Sequence, residues 1–277
     1  MPRRLLRYVT TVLALLAVTA QAAPRPSLPA SEDTARERVE HSPRHGEFVT
    51  VDAGGTPVRA WVVYPERKDK APVVVVIHEI FGLTDWIRAV ADQLAAEGFI
   101  ALAPDLLSGK APNGGGTDAF LSRDDAVKAV SALPRDEVIA RLNAVRKYGL
   151  SLPAATGKSA TVGFCWGGST SFAYAVAQPA LDAAVVYYGT APDDPEALAA
   201  IRAPVLGLYG GSDARVDATL DATEAAMKAK GKSYERHVFD GAGHGFLRAQ
   251  SGQDGANQRA TDQAWPLTLA FLRKNLQ

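Results

Sequence analysis

Gly163-Phe164-Cys165-Trp166-Gly167-Gly168 contains the only cysteine in 277 residues. Its spacing is Gly-x-nucleophile-x-Gly, the frame of a sharp strand-to-helix turn that presents a nucleophile above a sheet, with sulfur where a serine oxygen usually stands. A lone cysteine taken by itself reads as a small buried hydrophobe. The glycines on both sides argue against that, because a strained turn with a helix starting close behind it needs positions without side chains. Ser159 to Gly163 is then a strand and Gly168 to Ala177 the helix that follows. A helix N-terminus supplies free N–H groups and the positive end of a dipole, and both favour thiolate over thiol. The backbone N–H of Trp166 can point at a developing oxyanion.

The chain on either side alternates between strand-like and helix-like stretches. Phe48 to Val51 and Val58 to Val63 read as an antiparallel hairpin, and Val73 to Ile77 is a β-branched run of the kind buried on both faces. Helical spacing marks Trp86 to Ala96, Asp124 to Ala132, Asp136 to Tyr148, Pro195 to Ile201, Ala218 to Lys230 and Ala260 to Lys274. Further strands are expected at Phe99 to Ala103, Ala183 to Tyr187, Val205 to Tyr209 and Tyr234 to Phe239. This alternation implies a doubly wound α/β architecture, a mostly parallel sheet with helices on both faces. Ligands and catalytic groups collect at the carboxyl ends of such strands.

A nucleophile needs a base and a group to orient that base, and after such a turn the chain order is nucleophile, acid, histidine. Asp213, in Gly210-Gly211-Ser212-Asp213, follows the strand ending at Tyr209, and His244, in Gly241-Ala242-Gly243-His244-Gly245-Phe246, follows the strand ending at Phe239. Asp217 and Asp240 flank these loops without the glycine setting, His41 and His45 lie near the N-terminus, and His237 is inside a strand. His78-Glu79-Ile80-Phe81-Gly82 follows the first buried strand. His78-Glu79 begins like a zinc signature, but Gly82 stands where the second histidine is required, which excludes a metalloprotease of that type. Neither a metal nor another cofactor is called for. The N–H of Ile80 is the candidate second oxyanion donor, and Glu79 falls beside the nucleophile, where it can accept from the thiol or pair with an arginine.

Thirty Lys and Arg balance thirty Asp and Glu, so the formal net charge is zero, and a nucleic-acid partner would call for a basic surplus. Arg3, Arg4 and Arg7, the apolar run Val9 to Ala20 and the small-x-small Ala20-Gln21-Ala22 read as a signal peptide over residues 1–22. The apolar run is shorter than the roughly 20 residues of a membrane-spanning helix, so no stable membrane insertion is expected after cleavage. A periplasmic or secreted protein is the expectation. Residues 23–45, rich in Pro, Arg, Glu and Ser, read as a flexible, solvated lead-in, and residues 46–277 as a single α/β domain acting as a monomer.

These motifs together resemble the dienelactone hydrolase family of α/β-hydrolases. The resemblance runs from about Glu47 to the C-terminus. It is carried by Glu79-Ile80-Phe81-Gly82, Ala103-Pro104-Asp105-Leu106, the cysteine turn, Tyr187-Tyr188-Gly189, Gly211-Ser212-Asp213 and Gly243-His244-Gly245-Phe246 with Arg248 beyond. It implies a carboxylic ester hydrolase, carboxymethylenebutenolidase-like, that cleaves a small ester or lactone with a Cys165–His244–Asp213 triad. It also implies that Glu79 is an extra carboxylate paired with Arg248. The resemblance further implies that an arriving anionic substrate draws that arginine away and that the freed glutamate takes the thiol proton. Where the family carries a second substrate-binding arginine, this chain has Gly109 followed by Lys110, so Lys110 is the expected stand-in. Lysine supplies charge there without the guanidinium fork.

Two other readings remain open at this point. One is a carboxylesterase of broader specificity on the same fold, indifferent to loss of Arg248. The other is a non-hydrolytic protein that uses Cys165 as a redox or binding thiol. A redox thiol needs neither His244 nor Asp213, and the glycine settings of both weigh against it.

Overall fold

The computed structural model describes residues 27–277. The expected signal peptide and the first residues of the lead-in lie outside the described residues. Eight strands form one sheet: β1 (Gly46–Asp52), β2 (Pro57–Val63), β3 (Ala71–Ile77), β4 (Ile100–Pro104), β5 (Ala155–Phe164), β6 (Ala183–Tyr187), β7 (Val205–Gly210) and β8 (Tyr234–Phe239). Their order is β1-β2-β4-β3-β5-β6-β7-β8. The hairpin β1–β2 and the β2–β4 pair are antiparallel, and every other pairing is parallel. The sheet is the one expected from the alternation of elements.

The central strands are buried on both faces and split their side chains between two cores. On β3, Val74 and Val76 enter one core while Val73, Val75 and Ile77 enter the other. That is the period-two consequence of a pleated strand. The first core is closed by α2 (Asp85–Ala96) and α8 (Ala256–Leu276), through Trp86, Val90 and Leu94 and through Trp265, Leu269 and Leu272. The second is closed by α4 (Arg135–Ser151), α5 (Trp166–Ala177) and α7 (Leu220–Ala229). Each fully buried Val, Leu or Ile contributes about 1.5–3 kcal/mol relative to exposure. A shorter helix, α3 (Arg123–Ser131), is capped by Ser122, whose Oγ accepts from the N–H of Asp125 at 3.1 Å.

Two expectations need correction, and one short helix was not foreseen. Pro195 to Ile201 contains a single 3₁₀ turn, Ala197–Ala200, in place of an α-helix. The helix expected over Ala218 to Lys230 is α7, and a short helix that was not expected, α6 (Ala214–Asp217), precedes it. The correction that matters most concerns the N-terminal segment. Residues 27–45 are packed on the body, not a solvated lead-in. They include α1 (Ala35–Glu40), and Ala30 and Ala35 are buried in the core beside Trp86. Polar anchors supplement this small apolar content. The Trp86 indole donates to Ala30 O at 3.1 Å, Gln93 donates to Ser27 Oγ at 2.7 Å, and Arg44 grips buried Asp92 through two bonds of 2.9 and 2.6 Å. Composition counted apolar residues and could not see that partners for these polar groups stand on α2.

Among the described residues no helix is long and apolar enough to cross a membrane.

Candidate active site

Strand β5 runs straight into the turn that carries Cys165, and α5 starts at the next residue. Cys165 has φ 57° and ψ −118°, a left-handed backbone that a side-chain-bearing residue enters only under constraint. The constraint is visible in the flanking glycines. A Cβ on Gly163 would stand 1.9 Å from Gly167 O, and one on Gly167 would stand 2.3 Å from both Ile77 O and His78 O. The turn is therefore pressed against the end of β3 as well as against its own helix. The N–H of Cys165 donates to Tyr187 O at 3.0 Å, which ties the turn to β6.

The half-buried thiol faces the backbone N–H groups of Trp166 and Ile80. Burial pushes its pKa up, and negative charge on Glu79 pushes the same way. The N–H of Trp166, the charge of Arg215 and the N–H of Ile80 pull it down, with the net result above the ordinary thiol value. The resting sulfur is thus mostly protonated at neutral pH. Among the hydrogen bonds of the described residues, none runs from the thiol to His244 or to Glu79.

The peptide that supplies the Ile80 N–H is held by His78. Its Nδ1 lies 2.7 Å from Glu79 O, and its Nε2 accepts from the N–H of Leu106 at 3.3 Å. Because Leu106 must donate, the ring hydrogen sits on Nδ1 and is donated to Glu79 O. Glu79 C=O and Ile80 N–H belong to one planar peptide, so this bond fixes where that N–H points. His78 is fully buried, burial lowers its pKa, and the ring stacks on Trp166 at 5.5 Å between centroids. Asp105 secures the neighbouring loop by accepting from Thr117 N, Thr117 Oγ1 and Leu107 N, while Thr117 Oγ1 accepts from Leu83 N.

His244 and Asp213 meet as their loops predicted. Nδ1 of His244 lies 2.5 Å from Asp213 Oδ2, with the aspartate buried and the imidazole about one-third exposed. The two loops are bonded to each other, Ser212 N donating to Ala242 O at 2.9 Å. Asn257 on α8 braces the histidine loop by accepting from Gly243 N and donating to Ala249 O. Tyr188 packs edge-on to the His244 ring at 5.1 Å. Its hydroxyl is buried without a hydrogen-bond partner, and it faces the ionisable groups of Glu79, Cys165 and Arg248.

Glu79 is buried, and its Oε2 stands 2.7 Å from Nε of Arg248. The approach is off the N–H axis, so this is a contact of charges rather than an aligned hydrogen bond. Burial pushes the Glu79 carboxyl up to about 7 from its ordinary 4.5, against the opposing pull of Arg248. Lys110 does not take part. Its ammonium is bonded to Glu137 at 2.8 Å, and the same glutamate binds Arg141 at 2.6 Å. The position after β4 therefore feeds an ion-pair cluster on α4 instead of the cysteine site. The second guanidinium beside Arg248 belongs to Arg123, at the first turn of α3. Arg123 lies over the Phe81 ring at 3.6 Å from its centroid, and Arg248 lies over the same ring at 5.4 Å. Both arginines also bind Glu32 of the N-terminal segment. Sequence reasoning missed Arg123 and Glu32, and it quoted Tyr188 in a motif without giving it a role. That role was findable, since Tyr188 directly follows a buried strand, whereas nothing local marks the two charged residues.

A cleft of about 360 Å³ touches the turn at Trp166 and is lined by Leu133, Val138, Ile139, Ser169 and Thr170. Cys165, His244 and Asp213 lie outside its lining. Among the described residues no group of three or more His, Cys, Asp or Glu side chains is placed to hold a metal ion.

A sequence model described as "Dienelactone hydrolase family" matches residues 58–276. The chain belongs to the dienelactone hydrolase family. Among curated relatives, a "Putative carboxymethylenebutenolidase" of Saccharolobus solfataricus is 32% identical over 80% of this chain and 96% of its own. A protein of the same description from Methylorubrum extorquens is 34% identical over 72% of this chain and 73% of its own. Among solved structures, a "Putative Dienelactone Hydrolase" from Klebsiella pneumoniae superposes with a TM-score of 0.72 at 27% identity, covering 83% of this chain and 98% of the other. An acylaminoacyl peptidase of Pyrococcus horikoshii, at 17% identity and a TM-score of 0.63, shares the fold over 84% of this chain and 42% of its own. The protein is a dienelactone hydrolase-like hydrolase of the α/β-hydrolase fold.

Proposed function

We propose that the protein hydrolyses a small ester or lactone through an acyl-thioester on Cys165. The observation that carries this reading is the strained turn, φ 57° at Cys165, that holds the thiol at the N-terminus of α5 beside the backbone N–H groups of Trp166 and Ile80. Two preorganised donors are what an oxyanion on the substrate needs when sulfur attacks its carbonyl carbon. The thiol proton passes to the Glu79 carboxylate as the new C–S bond forms, and the carbonyl π electrons move onto oxygen. Collapse of that oxyanion breaks the acyl C–O bond, and the leaving oxygen takes up the proton. Water then gives a proton to Nε2 of His244 and attacks the thioester. The thiolate departs and takes the proton back from His244. Asp213 at Nδ1 holds the ring with Nε2 free and stabilises its protonated form. Residues 1–22 direct the chain to the periplasm or out of the cell, which N-terminal sequencing of the mature protein tests.

Cys165→Ala is the direct test. Loss of p-nitrophenyl acetate and dienelactone hydrolysis in the folded variant is expected, and undiminished turnover overturns the proposal. One observation favours the broader carboxylesterase reading. The arginine at the site is already held by two carboxylates, Glu79 and Glu32, before any substrate arrives.

A further inference from the structure

The arginines beside the candidate site carry a ligand that belongs to the chain itself. Glu32 Oε2 is bonded to Nη1 of Arg248, and Glu32 Oε1 lies 3.3 Å from Nη2 of Arg123. One carboxylate thus bridges two guanidinium groups that come from different parts of the fold, the histidine loop and α3. The two aromatic-faced arginines share Phe81, which follows directly on the Glu79-Ile80 peptide. The clamp therefore stands against the loop that carries one of the two N–H groups facing the thiol.

Glu32 does not reach this place by chance of a loose side chain. Its backbone N–H donates to Arg248 O at 2.9 Å, and two residues earlier Ala30 O accepts from the buried Trp86 indole at 3.1 Å. Gln250 reaches back to Pro29 O at 3.0 Å. The segment is pinned by hydrogen bonds at and just before the glutamate and by buried Ala35 three residues after it, so the carboxylate is presented rather than recruited. The charges facing Glu79 are Arg248, Glu32 and Arg123. Two positive and two negative groups leave this corner electrically balanced when all are ionised.

We propose that Glu32 is a specificity-determining residue, an internal carboxylate that fills the Arg248–Arg123 clamp and turns the site towards neutral esters and lactones. An anionic substrate must expel it, losing two charge-assisted contacts before gaining its own. A neutral substrate has no use for the clamp and binds with Glu32 in place. The inference rests on the hydrolase reading above and adds the substrate class to it. The same carboxylate supports the basicity of Glu79, because its negative charge opposes the pull of Arg248.

The test compares wild type, Glu32→Gln and Glu32→Ala on two matched substrates, mono-p-nitrophenyl adipate and its methyl ester. Removal of one partly exposed carboxylate that competes through two contacts raises the acid-to-ester ratio of kcat/KM about tenfold, mostly through a lower KM for the free acid. Adipate itself, measured by calorimetry, binds both variants more tightly than wild type by a similar factor. The acidic limb of the methyl ester's pH–rate profile moves to lower pH in both variants, since the negative charge of Glu32 no longer offsets the pull of the arginines on Glu79. An unchanged acid-to-ester ratio with unchanged adipate binding overturns the assignment of Glu32 while leaving the hydrolase reading intact. If wild type cleaves neither substrate and Cys165→Ala behaves as wild type, the hydrolase reading itself falls and the inference with it.

Discussion

Glu79→Gln separates the electrostatics of the site from its chemistry, because the readout is stability. The buried carboxyl has its pKa raised from 4.5 to about 7, chiefly by burial and against the attraction of Arg248. A folded-state value above the unfolded one means that the native protein binds this proton more tightly. The group's contribution to stability is therefore full below the unfolded value and is lost as the pH rises through about 7. At about 1.36 kcal/mol per tenfold change in proton affinity, ionising Glu79 in the native site costs about 3 kcal/mol. Glutamine fills the same space without that cost. Thermal melts of wild type and Glu79→Gln are compared across pH by circular dichroism. Near pH 4 the two melt together, since wild type is then protonated at this position. By about pH 8 the variant melts higher by roughly 6–12 °C, using about 2–4 °C per kcal/mol for a chain of this size. A difference in melting temperature that does not change with pH refutes the reasoning, as does a variant that is the less stable of the two at the higher pH.

The oxyanion peptide offers a second test. His78→Phe removes the donor to Glu79 O and orphans Leu106 N; kcat falls roughly 10–100-fold with KM nearly unchanged, while alkylation of Cys165 by iodoacetamide, which needs no oxyanion donors and feels the Ile80 N–H only through the thiol pKa, slows far less. Gly167→Ala drives a methyl group into Ile77 O and His78 O at 2.3 Å, and the expected loss, about 3 kcal/mol or more, is read from a denaturant titration. Deleting residues 1–45 exposes Trp86 and the α2 face under Ala30 and Ala35; a lowered melting temperature is expected, and an unchanged one contradicts the packing of this segment. Lys110→Ala leaves kcat/KM for charged and neutral esters within about twofold, since its ammonium is engaged with Glu137.

The parts legible in the sequence are those written in local pattern. Val73 to Ile77 announces a strand buried on both faces because both cores use it. Gly163 and Gly167 announce the turn because no Cβ fits there. Asp213 and His244 could be paired from chain order because each follows a parallel strand on the same end of the sheet. What stayed hidden depends on contacts between segments far apart in the chain. Lys110 was assigned by position along a loop, yet the direction of that loop hands it to Glu137. Arg123 takes the place beside Arg248, and Glu32 arrives from a stretch whose composition suggested solvent. Docking of residues 27–45 depends on the indole of Trp86, on Gln93 and on Asp92, none of which is marked locally as a docking surface.

The central claim is that Cys165 carries the acyl group and His244 releases it. It is tested most directly by intact-protein mass spectrometry of His244→Ala, quenched during reaction with p-nitrophenyl acetate and followed by peptide mapping. Acylation without deacylation leaves one acetyl group per chain on the Cys165 peptide, and Cys165→Ala/His244→Ala carries none there. Full turnover by His244→Ala, or an adduct that maps away from Cys165, contradicts it.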